Sequence, residues 1–290
     1  MTGNNLHEPL FTVPSVQVQP VHQSHALMAA CIQDNHIMND CFAVILDETK
    51  YRAEGKNGSF EMLYGNGESF ERLAHLHYIP FLDGGQSKYE PWKIAVSYLV
   101  KAFGIRGIEI AKTLFPQQKQ KIPLLYHVIV KEMNTPISKT DTGLFDAVGA
   151  IIGICGAYAC EGEAAAKLSE LVRNSNRHHN AYPYFMENKK PLEWNPALMI
   201  QEIVKDVQAG VSPLLIALTF HETIVRVIKD MIIQSQNSKR NKIVLLLGSL
   251  FCNLYLREYS KEALEEAGYR VYTTYKEGHA TAQPKSREYI

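Results

Sequence analysis

Between Lys242 and Tyr275 the chain passes from a branched apolar stretch, KIVLLLG, through an amphipathic one, YLREYSKEALEEAG, to a second apolar stretch, YRVYTTY. The first has the character of a buried strand, the second of a helix stopped by Gly268, and the third of another strand. Two strands joined through a helix of this length are parallel neighbours, and such crossovers are right-handed because only that hand packs the helix back onto a twisted sheet. This unit commits the chain to an α/β sheet and tells which other segments can join it.

Three further strands come early. CFAVILDET (Cys41–Thr49), FEMLYG (Phe60–Gly65) and FERLAHLHYI (Phe70–Ile79) are separated by the turn sequences KNGS and NGES, the pattern of an antiparallel meander. A meander followed later by strand–helix–strand is the plan of one ribonuclease-H-like lobe. It predicts one mixed sheet in which Val244–Leu247 lies beside the Cys41–Asp47 strand. A mostly helical insertion at about residues 84–210 separates the two halves. In it EPWKIAVSYLVKAFG predicts a helix with Pro91 in the first turn, Gly104 at the end, and Trp92, Val96, Leu99 and Phe103 on one face. LFDAVGAIIGI and EGEAAAKLSELV are helical too, whereas RNSNRHHNAYPYFMENKKPLEWNP is polar, contains proline and predicts a loop, its His178 and His179 solvated. SPLLIALTFHETIVRVIKDMI predicts a helix capped by Ser212 with Pro213 at its first position. His221, on the apolar face of that helix, reads as a hydrogen-bonded core histidine.

Composition removes several function classes. Lys and Arg number 30 and Asp and Glu 30, so no global field draws the chain to nucleic acid or an anionic membrane. The N-terminus lacks a signal-peptide pattern, and apolar runs are far short of a membrane span. The five cysteines (Cys31, Cys41, Cys155, Cys160, Cys252) form no CxxC pair, which predicts reduced thiols in a cytoplasmic protein. GxxxxGK[ST], GxGxxG and GxSxG are all absent.

VHQSHALMAAC (Val21–Cys31) places two histidines three residues apart at the start of a helix, on one face. A metal site there needs a third ligand from elsewhere. Other motifs show where to look. NTPISKTDTGLFDAVGAIIGI, EPWKIA, CEGEAAAKL, FHETI and LLLGSLFCN, in this order, resemble the carbamoyltransferase domain of the HypF family of hydrogenase-maturation proteins, over about Val16 to Gln283. The resemblance implies the fold of the actin-like ATPase superfamily, in which two ribonuclease-H-like lobes clasp a nucleotide. It also implies transfer of a carbamoyl group from carbamoyl-adenylate to a partner-protein cysteine during nickel–iron hydrogenase maturation. The meander would open the second lobe (41–290), leaving residues 1–40 as a stub of the first. Nothing resembles the family's adenylate-forming domains, so a complementary subunit, a protein acceptor or a second copy is the expected partner.

By this resemblance Asp47, Glu161, Gly162, Gly248, Ser249 and Asn253 are the nucleotide-binding candidates, for ATP or carbamoyl-adenylate. His22, His25 and Glu277 are the candidates for a divalent metal. The departures cluster at these places. Where the family has HHHAHIAAC, this chain puts Gln23 and Leu27 at the ligand positions. The family's NDGG is KEGH here, with Glu277 for the aspartate and His279 for a glycine. Lys50 replaces a glycine after Asp47, and Gly143 stands where an arginine is usual, a side chain whose planar fork glycine does not replace. Two readings follow: a carbamoyltransferase of this type, or a non-catalytic relative acting as a binding or scaffolding subunit or a decayed fragment.

Overall fold

The computed structural model describes residues 22–47, 60–79, 90–133, 143–156, 159–160, 162–237 and 240–273. Helix α1 (Gln23–Asp34) precedes strands β1 (Cys41–Leu46), β2 (Phe60–Gly65) and β3 (Phe70–Leu76). Helices α2 (Pro91–Phe103), α3 (Arg106–Leu114), α4 (Ile122–Met133), α5 (Leu144–Ile151) and α6 (Glu163–Val172) follow. Next come β4 (Phe185–Glu187), β5 (Leu192–Asn195), α7 (Ala197–Gln208) and α8 (Pro213–Ser235). The described chain closes with β6 (Ile243–Leu247), α9 (Leu254–Glu266) and β7 (Arg270–Thr273).

All seven strands form one sheet in the order β4-β5-β3-β2-β1-β6-β7. The meander and the crossover share it as expected: β1 pairs antiparallel with β2 and parallel with β6, Phe42 opposite Val244 and Ile45 opposite Leu247. Because side chains alternate across a strand, β1 feeds two cores. Phe42, Val44 and Leu46 join the large core, with α2, α5, α7, α8 and α9, while Cys41, Ala43 and Ile45 meet α1 on the opposite face. There α1 buries Met28 and Ile32, each stabilising the contact by about 1.5–3 kcal/mol.

Two sequence expectations change. The stretch read as a loop between α6 and α7 contains β4 and β5, and β5 pairs parallel with β3, extending the sheet by two strands. LEWN is too short and too charged to announce itself; pairing with a strand over a hundred residues away makes it one. Helix α2 has no single apolar face either: Ile94, Ala95, Tyr98 and Val100 are buried as well as Trp92, Val96 and Leu99, because α3, α5 and α7 pack around it. Ser212 caps α8 as expected, accepting from the Leu215 amide at 3.3 Å. No disulfide joins the five cysteines; Cys31 and Cys41 are packed, whereas Cys160 and Cys252 are exposed. Among the described residues no helix is long and apolar enough to cross a membrane.

Candidate functional site

Strands β1 and β6 run parallel, so their carboxyl ends emerge together, the place where open α/β sheets hold ligands. Beyond β6 the chain turns at Gly248, whose φ of +102° suits glycine, and a Cβ there would lie 2.2 Å from the Leu46 carbonyl oxygen. That close approach carries Ser249 over the end of β1, where its hydroxyl donates to Asp47 Oδ1 at 2.6 Å. Asp47, Gly248 and Ser249 are thus brought together: a carboxylate, a bare backbone turn and a hydroxyl, half-exposed at the sheet's end.

Asn253, the next candidate on this loop, is committed elsewhere. Its side-chain oxygen caps α9, accepting from the Tyr255 and Leu256 amides, and its amide donates to His221 Nε2 at 2.8 Å. His221 is fully buried, donates from Nδ1 to the Ala217 carbonyl at 2.6 Å, and is the core histidine its sequence position predicts. Gly162 occupies the N-cap of α6 with φ +77°. The small residues after it serve packing, since a Cβ on Gly149 of α5 would meet the Ala164 Cβ at 2.9 Å. Gly143 caps α5 with φ +90°, a conformation other residues rarely adopt, and a Cβ there would lie 2.9 Å from the Ile94 side chain, which would have to move for an arginine. Glu161 and Glu277, like Lys50 and His279, lie outside the described residues.

The two histidines of α1 turn to different partners. His25 Nε2 donates to the Asn66 carbonyl at 3.0 Å, and both rings lean on Phe70, with centroids 5.2 Å (His22) and 4.6 Å (His25) away. Burial holds His22 below the usual histidine pKa, against the raising effect of Glu61. Between them Ser24 donates to Glu61, which is fully buried in β2 and paired with Arg72 Nε at 2.9 Å; Arg72 Nη1 donates on to Tyr78 at 2.7 Å. The Ser24 hydrogen bond to Glu61 therefore ties the start of α1 to the sheet, on a carboxylate that Arg72 pairs from the next strand. Among the described residues neither histidine joins a group of three metal-capable side chains, and Glu277, the third ligand candidate, lies outside them. Sequence reading missed Glu61 and Arg72; the available signal was a pair of opposite charges set in two apolar strand runs.

Residues 43–278 match the family described as "Carbamoyltransferase, Kae1-like Domain, second subdomain". The chain is 34% identical over 167 residues to Carbamoyltransferase HypF of Rhodobacter capsulatus, covering 56% of this chain and 22% of that protein. It is 24% identical over 255 residues to Carbamoyltransferase HypF of Rhizobium leguminosarum bv. viciae, covering 88% and 32%. The solved structure of full-length HypF in the phosphate- and nucleotide-bound form superimposes with a TM-score of 0.76 at 26% identity, covering 87% of this chain and 33% of that one. HypF of T. kodakarensis has the same fold, with a TM-score of 0.70 at 21% identity. The matched region thus spans a third or less of the length of each of these relatives.

Proposed function

The chain belongs to the HypF carbamoyltransferase family, and from that premise we propose that it serves as the nucleotide-facing second lobe of a HypF-type carbamoyltransferase. In this reading the phosphates of ATP or carbamoyl-adenylate lie over the Gly248–Ser249 turn. The missing side chain at Gly248 gives them access to the backbone, and the Ser249 hydroxyl is available to them once it leaves Asp47. The partner's cysteine gives up its proton to solvent and its sulfur attacks the carbamoyl carbon; the carbon–sulfur bond forms, the bond from that carbon to the phosphate oxygen breaks, and AMP leaves carrying that oxygen. A complementary chain or a second copy would supply the other wall of the cleft, a separate adenylate-forming protein would supply the carbamoyl-adenylate, and hydrogenase maturation would be the setting. The observation that carries the reading is the Ser249–Asp47 contact over the Gly248 turn at the carboxyl ends of β1 and β6.

Titration calorimetry of the purified chain with ATP and with a non-hydrolysable carbamoyl-adenylate analogue tests it. Binding in the wild type that falls at least tenfold in Asp47→Asn or Ser249→Val supports the reading. No binding, or binding indifferent to both substitutions, refutes it. A second reading, a binding or scaffolding subunit without transfer chemistry, is favoured by Leu27 at a ligand place of the family. Supplying carbamoyl-adenylate and a cysteine peptide separates the two: nucleotide binding without thiocarbamate formation assigns the second.

A further inference from the structure

The two strands that the sequence did not announce bring a different set of ligands together. Glu187 at the end of β4 stands directly opposite Glu193 of β5, and Glu193 stands opposite His75 of β3. His77, two residues on, projects to the same side of the sheet and its Nδ1 bonds Glu193. Ligand atoms of His77, Glu187 and Glu193 all lie within 4.8 Å of one another, the one such trio among the described residues. We propose that these three side chains form a site for a single divalent first-row transition-metal ion of the zinc or manganese class, independent of the nucleotide reading above.

The chemistry of the donors selects that class. One imidazole nitrogen with two carboxylates suits zinc, cobalt or manganese, whereas magnesium and calcium take oxygen alone. Two carboxylates facing each other across neighbouring strands repel and need a cation. Lys189 fills that need here, its Nζ 2.5 Å from Glu187 Oε2 and 3.0 Å from Glu193 Oε2. Yet its side chain is 55% exposed, against 10% for Glu193, so it can swing into water while the carboxylates stay. It is therefore a competitor for the ion. Asn195 steadies the open side by donating to Glu187 Oε1 at 3.3 Å. The register also places the site functionally. Leu46, Phe60, Leu76 and Trp194 lie at one level across β1, β2, β3 and β5, so His77 is level with Asp47 two strands away, about 10 Å at ordinary strand spacing.

The test uses the full chain stripped with chelator and titrated with zinc by calorimetry and with cobalt by visible absorption, folding being checked by circular dichroism. One equivalent should bind; His77→Gln and Glu187→Gln should each weaken it at least tenfold, and Lys189→Met should tighten it. The double change His22→Ala with His25→Ala should leave this equivalent in place, which separates it from any ion held at α1. Absence of binding in both the wild type and Lys189→Met overturns the proposal. So does binding that folded His77→Gln or Glu187→Gln retains at full affinity.

Discussion

His221 should make the fold acid-sensitive by an amount the structure sets. Buried completely between α8 and α9, its ring donates to Ala217 and accepts from Asn253, and burial pushes its pKa down from 6.5 to about 4. Protonation would cost the Nε2 acceptor role and place a charge in the core. The unfolded chain therefore takes up a proton below pH 6.5 that the folded chain refuses until about pH 4, and stability falls as pH drops through that window. Integrating between those limits gives a loss of about 2–3 kcal/mol by pH 4.5 relative to pH 8. Urea unfolding of the wild type and of His221→Gln across pH 8 to 4.5 isolates this, because carboxylates contribute equally to both. The difference in stability between the two proteins should shrink by about 2–3 kcal/mol over the range. Parallel pH profiles, or a histidine resonance assigned to His221 that titrates near 6.5, would refute the argument.

Other consequences are equally concrete. Gly248→Ala puts a Cβ against the Leu46 carbonyl and a side chain at φ +102°, and should cost more than about 2 kcal/mol in denaturant unfolding as well as nucleotide binding. Glu61→Ala strands the partly buried Arg72 and should cost about 3 kcal/mol, whereas Glu61→Leu with Arg72→Met should restore most of that loss in the same melts. Replacing His22 and His25 with alanine should leave metal content by elemental analysis, and any transfer activity, unchanged; a stoichiometric iron or zinc lost in that double variant would show that α1 does hold an ion.

Local pattern was enough for the architecture. Alternating apolar runs broken by NG turns, a capped helix at Ser212 and a strand–helix–strand of the right length each depend on neighbours a few residues apart. The sheet then followed from the handedness and pairing rules that such units obey. Gly248 and Asp47 were singled out by the family resemblance, whereas the close approach of the Gly248 turn to the end of β1 came from the fold. What the sequence could not show depends on register between segments far apart. LEWN became a strand only by lying along β3; Glu61 and Arg72 became a pair only when β2 and β3 set them side by side. Asn253, a nucleotide candidate by resemblance, has its side-chain amide set against His221 by the packing of α9 on α8, which no local pattern shows. His77 and Glu193, 116 positions apart, meet because the sheet gained an edge no periodicity foretold. A side chain's type is written in the chain, but its partner is chosen by the fold, since charge and hydrogen bonding act over a few ångströms of space whatever the distance along the sequence.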